Sequence, residues 1–240
     1  MNKATVKLVP ILSDNYAFIL HKGEEAAVID PGQPEPVIHA LNDLGLKPSM
    51  VLNTHHHSDH IAGNAPILQK FEGKLVGPEN DTHRIPHINH AVKEGSKINF
   101  ADEEIQVFEA PGHTSGHVCF YLPQSQILFA GDVLFVMGCG RAFEGTAEQL
   151  YHSIQKIKAF PPETEIYCGH EYSLSNAEFC LSIEPDNEAI QKRLKTIKQY
   201  RDNSVPTVPT TLAEELETNL FLRAASVEEF TKLRSQKDNF

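Results

Sequence analysis

Thr54-His55-His56-His57-Ser58-Asp59-His60 follows directly on the apolar run Met50-Val51-Leu52, and it governs how the rest of the chain is read. Four imidazoles and a carboxylate within seven residues are costly to pack, because rings that protonate together repel one another. Neutral imidazole nitrogens and carboxylates are also the usual ligands of first-row metal ions, zinc above all. If the segment leaves its strand still extended, side chains alternate faces. His55 and His57 then point one way and His56 the other, while Asp59 and His60 fall where the chain turns into its next element. Each pair is too small to hold an ion alone, so further ligands must come from elsewhere.

They are found at the ends of other apolar runs. Gln106–Ala110 leads into Pro111-Gly112-His113, Ile127–Ala130 into Gly131-Asp132, and Ile166–Cys168 into Gly169-His170. Glycine before each polar residue permits turns and close approach, and loops at strand ends commonly carry function. The inventory is His55, His57, Asp59, His60, His113, Asp132 and His170. Seven ligands suit two ions sharing one, and a carboxylate with two oxygens is the natural bridge. That assigns His55, His57 and His113 to one ion, Asp59, His60 and His170 to the other, and Asp132 to both. Histidine and aspartate without thiolate suit zinc and also admit iron or manganese.

Composition narrows the class. The 240 residues carry 21 basic and 32 acidic side chains, a net charge of −11, which argues against nucleic acid or an anionic membrane as partner. No apolar run approaches the roughly 20 residues that span a bilayer, and residues 1–7 show no secretory pattern. Four cysteines without C-x-x-C spacing suit a reducing compartment. A cytoplasmic, monomeric protein is the expectation.

Short β-type runs alternate with helical patterns as far as residue 172. Strands are expected at Ala26–Ile29, Met50–Leu52, Leu75–Val76, Glu104–Ala110, Val118–Leu122, Ile127–Ala130 and Ile166–Cys168. Val37, Ile38, Leu41 and Leu44 fall at helical spacing before Gly45, and Ile61–Phe71 reads as one helix. Thr146…Gln149, Thr211…Glu214 and Ser226…Glu229 fit capping boxes, and Asn187–Asp202 is strongly amphipathic. Beyond residue 172 no strand is expected. The division is therefore 1–172, an α+β domain, and 173–240, a small helical one. His56 is expected to face a supporting carboxylate, Asp30 to buttress the site, and His117 to support rather than ligate. His83, His87 and His90 are spaced around Pro86, which breaks the helical register a shared site would need.

With Gly112–His117, Phe129–Asp132 and Cys168–Tyr172, the histidine run resembles the metallo-β-lactamase superfamily. The chain is more narrowly similar to the glyoxalase II, or hydroxyacylglutathione hydrolase, family. That likeness rests on Gly138-Cys139-Gly140-Arg141, Glu144-Gly145-Thr146, Gly169-His170-Glu171-Tyr172, Pro206–Pro209 and Lys237–Phe240. The resemblance implies an αββα sandwich with the metals at one edge and a C-terminal helical domain that helps bind glutathione. It implies a binuclear metal-dependent thioester hydrolase of methylglyoxal detoxification, converting S-(2-hydroxyacyl)glutathione to glutathione and a 2-hydroxy acid. Asp59 and Asp132 would stand closest to the chemistry. Substrate contacts are implied at Arg141, Phe143, Tyr172, Arg234 and Lys237. At Phe143 many relatives carry tyrosine, Ala142 replaces a common aromatic, and Leu220 a common proline. The alternative reading is another hydrolase of the same fold or a persulfide dioxygenase.

Overall fold

The computed structural model describes residues 3–240, which fall into two compact units. Of the described residues, the first comprises 3–109 and Gly116–Gly131, the second Ala110–Ser115 and Asp132–Phe240.

The first unit holds β1 (Thr5–Ile11), β2 (Asn15–Lys22), β3 (Glu25–Ile29), α1 (Pro34–Leu44), β4 (Lys47–Leu52), α2 (Ser58–Ile61) and α3 (Asn64–Phe71). It continues through β5 (Lys74–Pro78), β6 (His90–Val92), β7 (Lys97–Phe100), β8 (Glu103–Glu109), β9 (Val118–Leu122) and β10 (Ile127–Gly131). Strands β1 to β6 form one sheet in chain order, antiparallel across β1-β2-β3 and parallel from β3 onward. Parallel neighbours need crossovers, and α1 and then α2-α3 supply them. Val37 and Leu41 of α1 and Ile67 of α3 pack with Val28, Val51 and Leu75 of the strands. Strands β7 to β10 form an antiparallel meander. The two sheets touch where Phe18 of β2 meets Phe129 of β10, ring centroids 5.6 Å apart. Asn15 to Leu20 in β2 and all of β9 are buried without alternation, as expected of strands covered on both faces.

One expected helix is two. The reading of Ile61–Phe71 as continuous fails at Ala62-Gly63, where the chain dips toward the loop after β3. Gly63 donates its N–H to the Pro31 carbonyl at 2.7 Å, and a Cβ at this position would overlap that carbonyl. This backbone-on-backbone contact fixes α2, and with it Asp59 and His60, against the turn that carries Asp30.

The second unit contains β11 (Leu134–Phe135), β12 (Gly138–Cys139), α4 (Ala147–Lys158), β13 (Glu165–Cys168), α5 (Ser173–Ile183) and α6 (Glu188–Asp202). It ends with β14 (Thr210–Thr211), α7 (Leu212–Thr218), α8 (Leu220–Arg223) and α9 (Val227–Asp238). Both expected boxes at Thr146/Gln149 and Thr211/Glu214 are formed. At α9 only half forms: Ser226 caps Glu229 N–H, but the Glu229 carboxylate accepts from Ala225 N–H instead. A strand does occur beyond residue 172, because β14 pairs with β13. At two residues, the second of which is the cap of α7, it has no periodicity to be read.

The core of this unit is aromatic, with Phe221 between Phe179 and Phe230 at 6.0 and 5.7 Å. It also buries Glu215, which accepts from Arg193 at 2.7 Å, Met137 N–H at 2.8 Å and Asn219 at 2.9 Å. A buried carboxylate so surrounded keeps its charge satisfied. Among the described residues, no helix is long and apolar enough to cross a membrane.

Candidate metal centre

Each unit builds its own group of donors. In the first, β4 delivers the histidine run and Asp30 organises it. Asp30 sits at φ 48°, a left-handed conformation uncommon outside glycine, at the end of β3. Its Oδ1 accepts from Thr54 N–H at 2.8 Å and its Oδ2 from the Thr54 hydroxyl at 2.6 Å. With that proton given to Asp30, Thr54 Oγ1 accepts from His55 Nδ1 at 3.0 Å. The bonding thereby selects the His55 tautomer whose Nε2 carries a lone pair. Asp30 Oδ2 also stands 3.1 Å from His60 Nδ1, which does the same for His60. Asp30, His55 and His60 place ligand atoms within 4.8 Å of one another. Both Asp30 oxygens are engaged by Thr54 and His60, so Asp30 acts as the brace.

The other ring nitrogens of these two buried histidines face further potential ligand atoms. His55 Nε2 lies 3.1 Å from His57 Nδ1, and His60 Nε2 lies 3.6 Å from Asp59 Oδ2. His57 takes the N-cap position of α2, and its carbonyl accepts from His60 N–H at 3.0 Å. Asn15, at the start of β2, donates to Asp59 Oδ2 at 2.8 Å. Sequence reasoning passed over Asn15; its signal was a polar residue opening a fully apolar run.

The supporting residues fall where expected. His56 turns away toward the fully buried Asp81, Nδ1 to Oδ2 3.5 Å, and Arg84 donates to the same carboxylate at 3.0 Å. His117 stacks on His55 with centroids 4.8 Å apart and an interplanar angle of 19°. Gly131 lies against His117 and Thr54 at φ +49°, where a Cβ would stand 2.6 Å from His117 Nε2 and from Thr54 Oγ1. His83, His87 and His90 are not among the metal-competent groups of the described residues.

In the second unit, one carboxylate oxygen collects two imidazoles. Asp132 Oδ2 lies 3.5 Å from His113 Nε2 and 3.2 Å from His170 Nε2. His113 Nδ1 donates to the Arg141 carbonyl at 2.9 Å, so its Nε2 presents a lone pair to a carboxylate. Two acceptors facing at this range repel unless a proton or a cation lies between them. All three side chains are buried, which sharpens that demand. Tyr172 stacks on His170 at 4.7 Å and 9°, and Phe135 closes edge-on to both. Between them Glu171 accepts from Thr207 N–H and hydroxyl, each at 2.8 Å, and so ties this turn to the Pro206–Pro209 segment.

The implied substrate contacts lie in this unit and differ in exposure. Phe143 is exposed, its ring 5.3 Å from that of His113. Tyr172 is half-exposed and Arg141 largely exposed. Arg234 is buried, donating to the Cys139 carbonyl at 2.9 Å and lying over Phe221. Lys237 donates to Ser175 Oγ at 2.7 Å. Burial, aided by the Arg234 charge, holds its ammonium below the usual lysine range. Burial pushes the Cys139 thiol up to about 11 and the Cys180 thiol up to about 12, and it raises Cys168 further, so these three hold little thiolate at neutral pH.

Residues 12–170 match the family model described as the metallo-beta-lactamase superfamily, the class that this fold and its histidine-aspartate donors define. Residues 171–240 match the model described as the hydroxyacylglutathione hydrolase C-terminus. Curated relatives named hydroxyacylglutathione hydrolase include one from Pelagibacter ubique, 43% identical, covering 98% of this chain and 99% of its own. Others come from Mesorhizobium japonicum, 42% identical with 95% and 96% covered, and Maricaulis maris, 40% identical with both chains covered fully. The chain belongs to the hydroxyacylglutathione hydrolase family. Among solved structures it is similar to ETHE1 from Myxococcus xanthus, TM-score 0.74 and 26% identity, covering 96% of this chain and 90% of that one. It also shares its fold with the BLEG-1 B3 metallo-beta-lactamase, TM-score 0.72 and 24% identity, covering 92% and 100%.

Proposed function

We propose that the protein is a binuclear metal-dependent thioester hydrolase converting S-(2-hydroxyacyl)glutathione, such as S-D-lactoylglutathione, to glutathione and a 2-hydroxy acid. The observation that carries the metal reading is the opposition of acceptors, above all His113 Nε2 against Asp132 Oδ2 at 3.5 Å with Nδ1 already committed as donor. The substrate class rests on full-length relatives of that name.

In this reading His55, His57 and His113 hold one divalent ion, Asp59, His60 and His170 the other, and Asp132 both. Zinc is the ion proposed, with iron or manganese admitted by the same donors. Two such ions, when bound, would supply a water acidified from a pKa of 15.7 to about 7 and a positive field for developing negative charge. The chain's own part is to fix the donors and receive the substrate. Thr54, Asp30 and the Arg141 carbonyl set imidazole tautomers, and Asn15 orients Asp59. Arg141 and Lys237 would meet the carboxylates of glutathione, with the buried Arg234 adding only its charge behind them, while Phe143 and Tyr172 offer rings beside His113 and His170. Thiols have pKa values near 8.5, so the sulfur departs as thiolate without a dedicated acid.

The domain assignment proposed is catalytic over 1–172 and substrate-binding over 173–240. A reducing cytoplasm fits four buried cysteines, none of them in a disulfide among the described residues. His57→Ala tests the proposal: metal content and hydrolysis of S-D-lactoylglutathione fall together. Wild-type turnover in that variant contradicts it.

A further inference from the structure

The last turn of α9 carries a carboxylate that joins two arginines. Asp238 Oδ1 forms an ion pair with Arg141 Nε at 3.2 Å. The same oxygen accepts from Arg234 Nε at 3.2 Å and lies 3.0 Å from Arg234 Nη2.

The two guanidiniums are not equivalent. Arg234 uses its remaining edge on the Cys139 carbonyl, Nη1 to O 2.9 Å, and its face on the Phe221 ring at 5.1 Å. It is spent on the protein. Arg141 has a side chain 58% exposed, and among the described residues its guanidinium has Asp238 as its one partner, met through Nε. Both of its Nη groups therefore remain for a ligand, and they form the fork that matches a carboxylate with two parallel hydrogen bonds.

We infer that Asp238 is a positioning residue for substrate recognition: it holds Arg141 by the Nε edge so that the Nη fork receives a carboxylate of the glutathione moiety. The inference rests on the assignment of Arg141 to substrate binding made above. An unrestrained arginine samples many rotamers, and binding must then freeze it. Asp238 restrains it beforehand, and Arg234, fixed by Cys139 and Phe221, fixes Asp238 in turn. The opposing effect is repulsion between Asp238 and the incoming carboxylate. That oxygen is shared by two guanidiniums, and Lys237 adds a third cation next to it in sequence, so orientation outweighs repulsion. His113 is insulated from the change, because it bonds to the Arg141 backbone carbonyl, not to the side chain.

The test compares Asp238→Ala, Asp238→Asn and Arg141→Ala on S-D-lactoylglutathione and on a small uncharged alkyl thioester. Asp238→Ala raises KM for the glutathione thioester about fivefold to tenfold, the scale of losing one pre-ordered arginine. Its kcat and metal content stay at the wild-type level, as does its KM for the uncharged thioester. Asp238→Asn restores most of the loss, because its Oδ1 still accepts. Both Asp238 variants lowering KM would make the residue a competitor and overturn the inference, as would equal loss on the two substrates. A raised KM in Arg141→Ala with none in Asp238→Ala removes Asp238 alone. No effect in Arg141→Ala removes the substrate role of Arg141 and the inference with it.

Discussion

Asp30 grips Thr54 twice, accepting from its backbone N–H at 2.8 Å and from its hydroxyl at 2.6 Å. The grip sets the direction of the histidine run as it leaves β4, and the same carboxylate reaches His60 at 3.1 Å. Asp30→Ala leaves these buried donors without an acceptor. A loss of roughly 2–4 kcal/mol of stability is expected in urea unfolding. Metal affinity should fall about 10- to 100-fold in a competition titration, the scale for removing a partner behind ligating imidazoles. Unchanged affinity would show that Asp30 only closes a turn.

Gly131 is predicted to tolerate no side chain. At φ +49°, with a Cβ 2.6 Å from His117 Nε2 and Thr54 Oγ1, alanine strains the backbone and pushes on the stack beneath His55. Gly131→Ala should cost about 2 kcal/mol or more and lower the melting temperature by several degrees. Calorimetry checks the first part, and metal content the displacement of His55.

Much of this was legible in sequence, and the failures have physical causes. Capping boxes at Thr146 and Thr211 and the ligand run itself are local signals, written within a few residues. Strand β2 was passed over because burial on both faces erases alternation, leaving an apolar run without a period. Helix α5 went unseen for a related reason, its apolar residues being spread around the helix without a stripe. Asn15 and Asp59 meet across 44 residues, which nothing local announces. Arg234 reads as a surface charge in a polar helix, yet it is buried, because its partners Cys139 and Phe221 come from elsewhere in the unit.

Acid stability should depend in part on Glu184. Burial pushes its carboxyl up, but hydrogen bonds from Arg223 and Asn187 outweigh that and hold it below the usual range. Arg223 meets it with two nitrogens, at 2.9 and 3.1 Å. A lowered folded pKa gives stability that is full above the unfolded value, near 4.3, and lost as pH falls through the folded one. Both side chains are one-third exposed, so screening keeps the contribution below about 1 kcal/mol. Arg223→Ala should destabilise by that amount at pH 7 and by progressively less below pH ~4. A pH-independent difference in urea midpoints would contradict the sign.

Phe143 keeps a ring over His113 without a hydroxyl. Phe143→Tyr adds that hydroxyl, and a hydrogen bond of about 0.5–1.5 kcal/mol should lower KM for glutathione thioesters severalfold with kcat unchanged. An unaltered KM would place the ring outside the glutathione path.

The central claim, two ions held by seven ligands and used for thioester hydrolysis, is tested most directly by measuring metal content and S-D-lactoylglutathione hydrolysis on one purified sample. The account predicts close to two ions per chain, with activity lost on chelation and restored as the second equivalent of metal is added. Full activity at a persistent one ion per chain would contradict the shared role of Asp132, and turnover undiminished by complete chelation would contradict metal catalysis altogether.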